Sequence, residues 1–195
     1  MIHLKTDEEI ELMRKSAKLA AEVLIMIEPY VKPGVTTNRL DEICHDFIVS
    51  NGAVPSPLNY RGFPKSICSS INEEICHGIP SDRKLRNGDV VNLDITTYLN
   101  GFHGDTSRMF HVGSARKKMT KLVETCKEAL QSAIKLVKPG AHLGDIGATI
   151  QNIAEQRGFS VVREFCGHGI GRSFHEDPQV LHVGTFGEGI ELKKG

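Results

Sequence analysis

Asp94 stands in the middle of VVNLDITTYL (residues 90–99), a run rich in β-branched residues, and Asp105 follows beyond Asn100-Gly101. Asn-Gly between two strand-like runs predicts a two-residue type I′ hairpin turn. With Asn100 and Gly101 as that turn, Asp94 lies opposite Ser107, and Asp105, two residues from Ser107, shares its face. The acids are then diagonal neighbours, about 7–8 Å apart at the backbone, with side chains able to converge on one point. A bulge at Gly104 would alter this register. Two bare carboxylates so placed repel, so one pKa rises or a cation joins them. Oxygen ligands suit hard divalent ions, and metals about 3.5–4 Å apart are commonly bridged by such acids. The ordinary alternative is a solvated face. It suits Asp105, in polar Gly-Asp-Thr-Ser, better than Asp94, which Val90, Val91, Leu93 and Ile95 surround.

Histidines make two further groups. CGHGIGRSFHEDP (residues 166–178) holds His168 between glycines, where backbone can approach a ligand closely, and His175 follows seven residues on. Imidazole is the commonest nitrogen ligand for zinc, cobalt, iron or manganese. The alternative there is a tight turn in which Gly169 and Gly171 serve only positive φ. ICHGIP (residues 75–80) sets His77 before a Gly-Ile-Pro loop signal. A loop histidine can hydrogen-bond a substrate, although plain solvent exposure is the commoner case. His3, His45, His103, His111, His142 and His182 give no comparable reason to be singled out. The five cysteines form no CxxC pair, which argues against a zinc knuckle. Buried free thiols are expected at Cys44 and Cys126, which lie at helical spacing among apolar residues.

The elements that must position these residues follow from periodicity. Thr6 and Glu9 fit a capping box, and Ile10, Met13, Ala17, Ala20, Leu24 and Ile27 then recur at helical steps. A second helix is predicted from about Thr37 to Ser50, with Leu40, Ile43, Phe47 and Ile48 inward. The order then returns. Leu122, Cys126, Ala129, Ala133, Ile134 and Val137 mark a helix over about 118–138, and Ile146, Ile150 and Ile153 mark the next. Val31-Lys32-Pro33-Gly34 in the first pair is copied by Val137-Lys138-Pro139-Gly140 in the second. A tetrapeptide repeated between helices of similar length predicts an internal duplication, with one domain over 1–195 and halves of about 1–112 and 113–195. Leu192-Lys193-Lys194-Gly195 resembles Leu85-Arg86-Asn87-Gly88, which leads into the strand holding Asp94. A second copy of that hairpin is expected directly after Gly195, so the chain reads as cut short.

Composition bounds the class. With 195 residues, 39% hydrophobic and 25% charged, the chain reads as soluble and globular. A formal net charge of +0 gives no electrostatic case for nucleic acid or an anionic membrane. No apolar run approaches the roughly 20 residues of a spanning helix. The start, MIHLKTDEEIELMRK, lacks the basic-then-apolar order of a signal peptide, so a cytoplasmic protein is expected.

Three blocks, PLNYRGFPKSICSSINEEICHGIP, NGDVVNLDITTYLNGFHGDTSRMF and VVREFCGHGIGRSFHEDPQVLH, together resemble the type I methionine aminopeptidases in their bacterial form. The resemblance runs through nearly the whole chain. It implies an α/β (α+β) "pita-bread" creatinase/aminopeptidase fold, two pseudo-symmetric halves of antiparallel sheet covered by helices, with the last strands missing. It implies removal of the initiator methionine from nascent polypeptides near the ribosome, by a monomer. Two divalent metal ions (Co, Mn, Fe, Zn or Ni) are implied in the cleft between the halves. Asp94 matches a bidentate ligand, Asp105 a bridging ligand and His168 the histidine ligand. His77 matches the histidine that contacts the substrate amide, and His175 the one near the scissile carbonyl. Pro57, Tyr60, Phe63, Cys68 and Phe174 fall where the family lines its methionine pocket, Pro57 standing where some members have cysteine. Asn72 and Glu74 match a loop whose backbone carbonyls serve a monovalent cation.

The chain also departs from the pattern. The family uses two further glutamate ligands, one of them the general base, and both are expected beyond position 195. Glu188 and Glu191 precede the strand concerned and have no geometric reason to substitute. Two carboxylates leave two divalent ions with surplus positive charge, so the second metal is expected to bind weakly and the chain as written to have little peptidase activity. Two other readings remain. A proline-specific or creatinase-type relative shares GHG and HExP-like blocks, yet usually carries an extra N-terminal domain and lacks CHGIP. A non-catalytic pita-bread protein that binds partners tends to lose metal ligands, whereas Asp94, Asp105 and His168 are all present.

Overall fold

Thr6 opens the first helix. Its hydroxyl accepts the Glu9 N–H at 3.2 Å, and the Glu9 carboxylate accepts the Thr6 N–H at 3.0 Å. In the computed structural model, which describes residues Met1–Lys194, helix α1 (Asp7–Ile27) follows and ends in a 3-10 turn at Glu28–Tyr30. Helix α2 (Thr37–Ser50) begins with the Thr36 hydroxyl accepting the Arg39 N–H at 3.1 Å. Four antiparallel strands come next: β1 (Val54–Pro55), β2 (Cys68–Ile71), β3 (Val90–Leu99) and β4 (Phe102–His111). Strand β3 pairs with each of the others.

Alternation along β3 separates two faces. Val91, Leu93 and Ile95 join Leu19, Val23, Leu40 and Ile48 of the helices in the main core. Gly104 of β4 is a point of close approach, because a Cβ there would stand 2.3 Å from the Ala17 backbone nitrogen. Beside it the Thr97 hydroxyl donates to the Ser16 carbonyl at 2.9 Å. Asn92, Asp94 and Thr96 occupy the opposite face of the sheet.

The chain divides into two compact units. One contains Lys5–Arg116 together with Ile170–Phe174; the other contains Met1–Leu4, Lys117–Gly169 and the residues from His175 onward. In the latter, helices α3 (Lys117–Leu136) and α4 (Leu143–Gln156) pack together, and β5 (Gly167–Gly169) pairs with β6 (Glu176–Val180). The Asp145 carboxylate accepts the His142 N–H at 2.8 Å and the Gly187 N–H at 2.7 Å. Helix α3 buries only part of the set that marks it, Ala129 and Ala133. Two stripes of helical spacing run along it, and the stripe of small residues, Thr125, Ala129 and Ala133, is the buried one. Cys126, Ile134 and Val137 are exposed, while Cys44 is buried as expected.

The predicted duplication has matching backbone hydrogen bonds in each unit. Gly34 N–H donates to Leu85 O and Leu85 N–H to Val35 O, both at 2.8 Å. Gly140 N–H donates to Leu192 O at 2.9 Å, and Leu192 N–H to Ala141 O at 2.7 Å. Both glycines of the repeated tetrapeptide take positive φ, +90° and +88°. The last residue of the second repeat, Gly195, lies outside the described residues. Among the described residues no helix is long and apolar enough to cross a membrane.

Candidate metal centre

The hairpin has the register its turn predicts. Asn100 and Gly101 take left-handed φ values of 54° and 84°, Asp94 pairs with Ser107, and Asp105 pairs with Thr96. No bulge interrupts β3 and β4, so Gly104 serves the close approach to α1 instead. Asp94 is half-buried and Asp105 exposed. The carboxyl of Asp94 is pushed up to about 7 from the ordinary 3.8, first by burial, then by the Asp105 charge and a hydrogen bond to Asp105. The two acids thus meet side chain to side chain, and near neutral pH a proton or a cation must lie between them.

Cys68 sits directly opposite Asp94 across β2 and β3. Burial, followed by the charges of Asp94 and Asp105, pushes its thiol up to about 12. It therefore stays protonated near neutral pH and acts as a small apolar wall beside the acids, not as a thiolate ligand. Cys76 is raised for the same two reasons, burial first and Asp94 second.

His77 lies on the segment that runs along the β2 edge. Ser69 N–H donates to Gly78 O at 2.8 Å, and Gly78 N–H donates to the Ser70 hydroxyl at 3.1 Å. Gly78 has no room for a side chain, since a Cβ would stand 2.1 Å from Ser69 O. His77 itself is exposed and adopts φ 55°, a left-handed conformation uncommon outside glycine. Such conformations cluster at functional sites, where the surrounding structure holds them.

The expected pocket residues share the unit of the acids. Tyr60 and Phe63 lie in a tight loop closed by Asn59 N–H donating to Phe63 O at 2.8 Å and Phe63 N–H donating to Tyr60 O at 2.9 Å. Phe174 comes from Ile170–Phe174, and its ring centroid lies 5.0 Å from that of Tyr60. Pro57 is buried and Phe63 half-buried. Asn72, at φ 55°, accepts the Val90 N–H at 3.0 Å and donates to Asp89 at 2.9 Å, so its loop is tied to the start of β3. Glu74 accepts the Ile71 N–H at 2.7 Å in the same loop.

His168 and His175 come together in the other unit, with ring centroids 4.3 Å apart. A register shift between His168 and Gly169 breaks the β5–β6 ladder, a distortion that re-aims side chains. Close approach of β6 requires Gly169, where a Cβ would stand 2.2 Å from Asp177 O. His168 Nδ1 lies 2.8 Å from the Gly169 carbonyl oxygen. A carbonyl can only accept, so Nδ1 carries the proton and Nε2 of the neutral ring keeps a lone pair, the arrangement of a metal-ligating histidine. Among the described residues no three His, Cys, Asp or Glu side chains gather closely enough to hold a metal ion. The two convergent carboxyls of Asp94 and Asp105 are hard oxygen donors of the kind that suits a divalent cation, and the His168 imidazole, within its own unit, has its tautomer fixed as a ligating histidine's is.

The sequence profile of metallopeptidase family M24 matches residues 11–195. The methionine aminopeptidase of Rickettsia prowazekii is 52% identical over the whole chain, which spans 75% of that protein. The methionine aminopeptidase of Escherichia coli K12 is 56% identical, again over the whole chain and 74% of its own length. The chain belongs to metallopeptidase family M24, among its methionine aminopeptidases.

Solved M24 structures agree. The crystal structure of the Rickettsia prowazekii methionine aminopeptidase superposes with a TM-score of 0.98, covering the whole chain and 79% of the neighbour. The Thermotoga maritima methionine aminopeptidase, 37% identical, gives 0.97 over the same shares. Prolidase from Pyrococcus horikoshii, at 22% identity and TM-score 0.83, shares the fold alone.

The histidines set aside on sequence include one that matters to this site. His103 stacks on Phe174. The available signal was alternation, since His103 is two residues from Asp105 and on the same face of β4.

Proposed function

We propose that this chain carries the catalytic centre of a metal-dependent aminopeptidase that removes the initiator methionine from nascent polypeptides. Asp94, Asp105 and His168 are its ligands for divalent metal, two ions in the intact centre, drawn from cobalt, manganese, iron, zinc or nickel. The observation that carries the reading is the Asp94–Asp105 pair, a half-buried carboxyl raised toward neutrality by burial first and then by a second acid on the same sheet face. A divalent cation bound there supplies Lewis-acid activation of water and of the scissile carbonyl.

The remaining residues bind and orient. His77, held in its left-handed conformation beside β2, contacts the substrate amide. His175, paired with His168, serves the scissile carbonyl. Tyr60, Phe63, Phe174 and the neutral thiol of Cys68 form an apolar wall suited to a flexible, polarisable thioether. Asn72 and Glu74 hold a loop whose carbonyls serve a monovalent cation. The proposal extends to a monomer working in the cytoplasm near the ribosome, where initiator methionines first become accessible.

The test is release of methionine from Met-Ala-Ser by a protein carrying this chain at the full length of its curated relatives, with manganese or with EDTA. Manganese-dependent release that His168→Ala reduces at least 100-fold is expected. Release unaffected by EDTA, or unaffected by the His168 substitution, would overturn the assignment.

A further inference from the structure

His103 has two roles that its neighbours impose. Its backbone N–H donates to Gly171 O at 2.8 Å, so β4 holds the main chain of Ile170–Phe174. Its ring lies nearly parallel to Phe174, with centroids 5.4 Å apart and 13° between the planes. Tyr98, its cross-strand partner, packs on it at 4.7 Å. The ring is held against rotation, because Nδ1 lies 2.8 Å from the Ser56 hydroxyl. Ser56 is fixed in turn, its N–H donating to Thr96 O at 2.9 Å. A chain of contacts therefore runs from the sheet through Ser56 and His103 to Phe174, and from Phe174 to Tyr60 at 5.0 Å.

Any residue but proline at position 103 could make the backbone bond; only a flat ring of this size can make the stack. We propose that His103 is a specificity-determining positioning residue. It sets where Phe174 stands against Tyr60, and so the shape of the wall that receives the substrate side chain. This rests on the reading of Tyr60 and Phe174 as the methionine-binding wall. It assigns His103 no contact with metal or reacting atoms. Ser56 acts through it, as the group that locks the ring.

The experiment uses a protein carrying this chain at the full length of its relatives, with His103→Ala, His103→Phe and Ser56→Ala. The readouts are the Kd of L-methionine, KM and kcat on Met-Ala-Ser and Leu-Ala-Ser, and the Kd of manganese. Loss of an aromatic stack predicts a rise of about 2- to 10-fold in the L-methionine Kd and in KM for His103→Ala. The preference for Met over Leu should narrow by a similar factor, with kcat less affected than KM. Manganese affinity should not change. His103→Phe keeps the stack but loses the contact with Ser56, so it and Ser56→Ala should both fall between His103→Ala and the parent. An unchanged Met/Leu preference in His103→Ala overturns the proposal, as does a loss in His103→Phe equal to that in His103→Ala. A parent protein that neither binds L-methionine nor cleaves Met-Ala-Ser would instead overturn the functional reading beneath it.

Discussion

Replacing Asp94 by Asn should make the metal-free protein more stable while removing its ability to bind metal. In the folded chain burial and Asp105 raise the Asp94 carboxyl from 3.8 to about 7. A raised carboxyl means that the folded state holds a proton which the unfolded state has already released. Stability is therefore greatest below about pH 4, falls as pH rises from about 4 to about 7, and levels off above. At about 1.4 kcal/mol per pH unit, the ceiling on this loss is about 4 kcal/mol. Asp94 is half-buried, and water admitted to the site lowers the cost, so about 2 kcal/mol is the expected figure. Asn is neutral throughout and its amide can donate to Asp105, so the variant escapes the loss. Urea unfolding in EDTA should find the two proteins close at pH 5 to within about 1 kcal/mol and Asp94→Asn ahead by about 2 kcal/mol at pH 8. Manganese at 100 times its Kd should then restore about 2.7 kcal/mol to the parent and little to the variant. A variant no more stable than its parent at pH 8, or a difference that ignores pH, would refute the reasoning.

Other substitutions test the scaffold. Gly104→Ala places a Cβ 2.3 Å from Ala17 N and 2.5 Å from Ser16 C, both backbone atoms that cannot swing away. It should cost about 3 kcal/mol or more in urea unfolding. Asp41, buried, accepts Ser66 N–H at 2.8 Å and Ile67 N–H at 3.1 Å through one oxygen. Asp41→Ala strands both donors and should cost about 2–4 kcal/mol, with faster exchange at both amides, while Asp41→Asn keeps the acceptor and should cost much less. Thr6→Ala removes the α1 cap and should lower stability by about 1 kcal/mol, against a few tenths for Thr6→Ser.

Local signals in the sequence translated directly into structure. Asn100-Gly101 defined the hairpin and hence the register that puts Asp94 and Asp105 on one face, because a two-residue turn leaves the pairing no freedom. Thr6 and Glu9 likewise placed the start of α1 through a reciprocal bond between near neighbours. The copied Val-Lys-Pro-Gly marked two turns that make the same backbone bonds. Non-local facts were not legible. Periodicity could not say which of two stripes on α3 faces inward, since Ala129 and Ala133 repeat at the same spacing as Cys126 and Leu130. Nor could spacing reveal that Ile170–Phe174 joins the unit of Asp94, or that His103 meets Phe174, because those contacts bring together residues far apart in sequence. His168 was legible as a candidate from its glycines, but the carbonyl that fixes its tautomer was visible only in three dimensions.

The central claim is that Asp94, Asp105 and His168 bind divalent metal. Calorimetric titration of manganese into a protein carrying this chain tests it most directly, alongside Asp94→Asn, Asp105→Asn and His168→Ala. The account predicts saturable binding by the parent and an affinity at least 10- to 100-fold weaker in each variant, with folding verified by circular dichroism. Parental affinity retained in any of the three folded variants would contradict it.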